Sequence, residues 1–181
     1  MPTVAFIHSY FNAEKKESLL FIIIGVLAIA AAVLLYFLGK TPFCKGMAIP
    51  FIVVGLLHAF VGYNVYNKSN GQRIDIAYQY GISGNKAPVE EIERMKTVMK
   101  NFVIYRYTEM VLALVGIVLV LLFKNNIDKQ FWLGFGIALA FMAIVSLSAD
   151  FFAEKRGNIY SKLLQQSLTN NSPTINPNTK P

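Results

Sequence analysis

The stretch LLFIIIGVLAIAAAVLLYFL, residues 19–38, is 20 residues long and carries no charged and no strongly polar side chain. At about 1.5 Å per residue a helix of that length crosses the ~30 Å hydrocarbon layer of a bilayer. A helix in a water-soluble core is seldom apolar on every face over so many turns. Three further stretches read the same way, at about 42–66, 102–123 and 131–152. The expected fold is therefore all-α: an integral membrane four-helix bundle of two helical hairpins over residues 1–168. Charged residues make up only 15% of the chain, against about 25% in soluble proteins. Membrane burial demands that deficit.

The connections follow from local signals. Residues 19–38 are too long for the apolar core of a signal peptide, and Gly39-Lys40-Thr41-Pro42 reads as a turn, so the first span is expected to be retained. Gly39 is a good residue just past a helix end. Thr41 and Pro42 read as N-cap and first position of the next helix. Pro50 is expected to kink that helix. Cys44 has no disulfide partner and is expected as a small apolar filler. Val4, Ile7 and Phe11, with Phe6 and Tyr10 beside them, form one apolar helical face suited to the headgroup zone. Asn12 is expected to cap the first span, with Glu14 at the positive end of the helix dipole.

Residues 67–101 form the connection between the hairpins. Its first part, 67–87, is rich in Gly, Asn and Ser and reads as a surface loop with room for one short helical turn. Pro88 followed by Glu90 and Glu91 starts an amphipathic helix that runs on into the third span. Asp128 is a candidate N-cap in the turn 124–130. Residues 158–168 are weakly amphipathic, and 169–181 are expected to form a disordered tail. Small residues mark packing faces: Gly55, Ala59 and Gly62 in the second span, Gly134/Ala138 and Gly136/Ala140 in the fourth.

Lys and Arg are split 13 to 4 between the two sides of this topology. The richer side holds both termini and residues 67–101, so these are expected in the cytoplasm. The net charge of +7 is accounted for by these flanks, and no nucleic-acid partner is expected. The halves also show a faint repeat. Glu17, Gly25 and Phe43-x-x-Gly46 correspond to Glu109, Gly116 and Phe131-x-x-Gly134, a match that two apolar hairpins also produce by chance.

Ionisable side chains inside a bilayer are costly and are functional candidates by default. Here they are His58, Arg106, Glu109 and Asp150, with Asn64, Ser146 and Ser148 at similar depth and Glu17 at the mouth of the first span. One reading makes His58, Glu109 and Asp150 a proton- or ion-handling site. The other makes the cluster an interhelical staple, with Arg106 and Glu109 paired at i, i+3 and Asp150 capping or reaching water. His58 shares the small-residue face and is expected to point at another helix. His8 is expected at the interface. Trp132 and Tyr36, Tyr63, Tyr66, Tyr105 and Tyr107 read as an aromatic belt.

No HExxH, GxSxG, P-loop or GxGxxG motif occurs, so no enzyme, cofactor or metal is expected. The stretches KNFVIYRYTEMVLALVGI (100–117), AIPFIVVGL (48–56) and DFFAEKRGNIY (150–160) resemble small four-span inner-membrane proteins of Gram-negative bacteria. That resemblance implies localisation and architecture, with no activity. The expected function is binding, through the helix 88–101 or the membrane faces. An immunity protein against a membrane-acting toxin is one concrete version. A small transporter or channel subunit using the polar layer, and an accessory subunit of a larger membrane complex, are the alternatives.

Overall fold

A computed structural model describes residues 4–84 and 87–169. Four long helices make up nearly all of it: α1 (Ala5–Leu38), α2 (Pro42–Ile82), α3 (Val89–Phe123) and α4 (Gln130–Thr169). A single 3-10 turn, Ile127–Lys129, precedes α4. All four are long and apolar enough to cross a membrane. The tail expected over 169–181 lies, after Thr169, outside the described residues.

The helices are longer than a bilayer needs. At 34 to 41 residues they measure roughly 50–60 Å, against a hydrocarbon layer of ~30 Å. The short turns at one end leave little room for surplus there, so it gathers at the end holding both termini. There the structure departs from the sequence reading. The loop expected at 67–87 is helical as far as Ile82, because α2 continues unbroken. Ile76 and Tyr80 of that segment are buried in a core with Ile7, Tyr10 and Phe11 of α1, Ile92 and Met95 of α3, and Tyr160 and Leu164 of α4. The N-terminal apolar face expected against headgroups is thus inside the protein. In water each such large apolar side chain contributes about 1.5–3 kcal/mol on burial, a drive that lipid does not supply.

Several caps also differ. Asn12 is mid-helix and its Oδ1 accepts from Arg73 Nη1 at 2.9 Å. Glu14 accepts instead from Tyr10 Oη at 3.1 Å and Ser69 Oγ at 2.8 Å. Asn126, not Asp128, caps the second hairpin turn. In the first turn Thr41 caps α2 through the Cys44 N–H and Pro42 begins it, as the sequence indicates. Gly39 keeps a right-handed conformation, and Lys40 takes the left-handed one at φ 43°. What Gly39 supplies is space: a Cβ there would lie 2.5 Å from the Cys44 Cβ. α2 passes Pro50 without interruption, and α3 runs continuously from Val89 through the third span.

The two hairpins, α1–α2 and α3–α4, join along α2 and α4, so α1 and α3 lie outermost. Backbone meets backbone where these helices cross. Gly25 lies on Gly55 and Ala59, and Gly116 on Gly136 and Ala140. Between the hairpins the contact is reciprocal: Gly46 sits on the Phe131 carbonyl and Gly134 on the Phe43 carbonyl. The Phe-x-x-Gly segments of the faint repeat therefore pack on each other, and the within-hairpin crossings use its matched glycines Gly25 and Gly116 but meet the second helix of each hairpin at different positions, Gly55 and Gly136.

Candidate functional site

α4 is the helix that gathers the polar groups. Ser146, Asp150 and Glu154 follow one another at i, i+4 and i+8, which puts them along one side of it. The first faces α2. His58 is buried at 7% exposure, and its Nε2 lies 2.7 Å from Ser146 Oγ. The Ser146 hydroxyl donates its one proton to the Met142 carbonyl at 3.0 Å. It can then only accept from His58, which assigns the ring proton to Nε2. Nδ1 is left buried without a partner. The Phe21 ring of α1 packs edge-on to the imidazole at 5.1 Å between centroids. His58 thus points at neighbouring helices and sits where α1, α2 and α4 meet.

The second and third groups face α3. The Asp150 carboxyl lies beside that of Glu109, whose Oε2 is buried with no hydrogen-bond partner. Arg106 does not pair with Glu109, one turn away on its own helix. Its Nη1 reaches across to Glu154, 3.1 Å from Oε1 and 3.0 Å from Oε2. Asp150 caps nothing; it and Glu154 line a groove of about 460 Å³ with Arg106, Met110 and Phe151. Asn64 stands apart, donating to its own helix at the Phe60 carbonyl at 2.8 Å. His58, Arg106, Glu109, Asp150 and Asn64 therefore divide into an α2–α4 contact through His58, an α3–α4 cluster through Arg106, Glu109 and Asp150, and the separate Asn64.

One turn beyond, charge closes the apolar belt. Glu17 of α1 pairs with Arg156 of α4, and the Lys15 ammonium stands over the Tyr66 ring. Past this level lies the terminal core and its own polar network. Tyr10 and Tyr160 stack at 3.9 Å, with the Arg156 guanidinium over Tyr10. Glu91, 3% exposed, holds Arg94 through two bonds of 2.7 and 2.8 Å. Burial pulls the Arg94 guanidinium down, but Glu91 more than offsets it, so it stays charged. Burial pushes both stacked phenols above the ordinary tyrosine value, helped at Tyr10 by Glu14 and at Tyr160 by Glu91.

Sequence reasoning missed Glu154, Glu14, Ser69 and Glu91 as partners. A usable signal existed for Glu154, which stands eight residues after Ser146 on the same helix face. Chemically, the α3–α4 cluster can hold a proton or a cation between two carboxyl groups. The His58 contact can orient helices. Among the described residues no three His, Cys, Asp or Glu side chains gather as a metal site. No protein-family model matches the chain, nor does any curated protein or solved structure.

Proposed function

We propose that the chain is a non-enzymatic integral protein of a bacterial inner membrane that acts by binding a partner protein, with both termini and the terminal core in the cytoplasm. One observation carries the reading: all four helices continue past what a bilayer requires and build a second, water-type core. A chain that only had to reside in lipid would need spans of about 20 residues. The surplus here makes a folded platform with exposed charged faces, among them Glu90, Glu93, Lys96 and Lys100 on α3. The basic residues gathered at this end support the cytoplasmic placement, and the resemblance to small four-span proteins supports the inner membrane. The intramembrane contacts support a staple: His58 with Ser146 and Arg106 with Glu154 join helices to one another.

An immunity protein is the concrete version of this reading. The test is co-expression with the product of each gene adjacent to its own, scored by survival and by recovery of a complex in mild detergent. Protection with a stable complex is expected. Recovery at fixed stoichiometry within a larger assembly, without protection, would make the chain an accessory subunit. A lone monomer that protects against nothing would end the binding reading.

A second reading is favoured by the Glu109–Asp150 carboxyl pair, a grouping that structural stapling does not require. It makes the chain a small proton- or ion-transporting subunit. Flux into liposomes that Glu109→Gln abolishes is its expected signature, and its absence in the unaltered protein would remove it.

A further inference from the structure

The face between the start of α1 and the end of α4 carries a groove of about 340 Å³. Its α4 wall is a single helical stripe, Phe152, Lys155 and Arg156, Ile159 and Leu163. Phe152 and Ile159 are more than half exposed, and Phe6 of α1 lines the far end. No carboxylate lines the groove, while two cations do. Arg156 is engaged by Glu17, and Lys155 is exposed. The α3–α4 groove has the opposite character, with Asp150 and Glu154 against Arg106.

Dimensions decide between occupants. From Phe152 to Leu163 the stripe extends roughly 16 Å along the helix axis. The headgroup layer on one side of a bilayer is only about 5–8 Å thick. A phospholipid seated at Lys155 would cover the mouth and leave Ile159 and Leu163 in water. A helical peptide of about three turns covers the whole stripe, with apolar side chains on Phe152, Ile159 and Leu163 and a carboxylate between them on Lys155. Because Phe152 belongs to the exposed apolar belt, the segment that fits leaves the membrane beside α4.

We propose that this groove is the docking site for the juxtamembrane segment of a membrane-anchored partner, an amphipathic helix carrying acidic residues. The inference rests on the partner-binding reading above and names the partner's chemistry. Rim charge sets encounter and register, and the apolar stripe supplies contact area.

The test is photocrosslinking in cells that express the full chain from its own locus. A photoreactive residue replaces Ile159, and another replaces Lys96 on α3 as a second probe. The expected result is a protein adduct at position 159 whose crosslinked peptide is acidic and lies within about three turns of a predicted span. Lys155→Glu should reduce that adduct at least ~10-fold, the equivalent of about 1.4 kcal/mol, while the variant's thermal unfolding in detergent is unchanged. Lys155→Arg should restore it. Lipid adducts alone, or an adduct insensitive to Lys155→Glu, would overturn the proposal. An adduct at position 96 without one at 159 would overturn the groove and leave partner binding standing. No protein adduct at either position would count against both.

Discussion

At the scale of single residues, the chain treats buried polar groups in two ways. Inside the apolar belt the hydrogen bonds between helices are few, such as His58 with Ser146, and polar contacts between helices in lipid contribute only about 0.6 kcal/mol on average. His58→Ala is accordingly expected to cost no more than about 1 kcal/mol in detergent unfolding. A loss several times larger would mean that His58 organises more than its bond to Ser146. That His58 faces another helix was legible from its place beside Gly55, Ala59 and Gly62; that its partner would be Ser146 was not, because nothing local encodes the pairing of α2 with α4. Beyond the belt the stacked tyrosines make a pH prediction. Burial raises both phenols above the ordinary value of 10.0, so the folded state holds those protons more tightly than the unfolded one. Their contribution is whole below pH 10 and is lost as pH rises above it, by up to about 1.4 kcal/mol per pH unit for each phenol. Denaturant unfolding at a series of pH values should show a plateau and then a fall. The Tyr10→Phe, Tyr160→Phe double variant should fall less steeply, and an unchanged slope would contradict the assignment.

At the scale of elements, the long apolar helices and the turns between them were legible because their signals are local. An uncharged run of about 20 residues, a Thr-Pro start and a Pro-x-Glu-Glu start each act through their own few residues. The end of α2 was not legible. Gly71 and Gly81 have nothing near the place a Cβ would occupy, and Asn and Ser favour turns, so residues 67–82 lack intrinsic helix preference. Tertiary burial overrides it. Ser69, Ile76 and Tyr80 share one helix face, and all three are buried against other helices. Two glycines thus have opposite expected responses. Gly71→Ala adds no contact and should stabilise α2 by about 0.5–1 kcal/mol. Gly46→Val would drive a side chain into the Phe131 carbonyl and should cost at least about 1–3 kcal/mol. Detergent melts of the two variants check both signs. A neutral Gly46→Val would mean that α2 and α4 do not cross where the structure puts them.

At the scale of the whole molecule, two different forces hold one set of helices. In the apolar belt, large side chains such as Leu27, Phe60, Leu114 and Phe141 face outward, and close backbone approach at glycines joins the helices. At the terminal end large side chains also pack inside, with Phe11, Tyr80, Met95 and Tyr160 buried. Four long apolar helices and two hairpins could be read from hydropathy; the second core could not, since its residues come from four separate segments and none is strongly apolar alone. Hydrogen exchange of the full chain in lipid nanodiscs decides whether that second core is packed. Amides of residues 69–80, which are exposed along one side, should exchange nearly as slowly as those of the apolar belt, because they belong to a packed core. Exchange there at the rate of an unstructured loop would contradict the account.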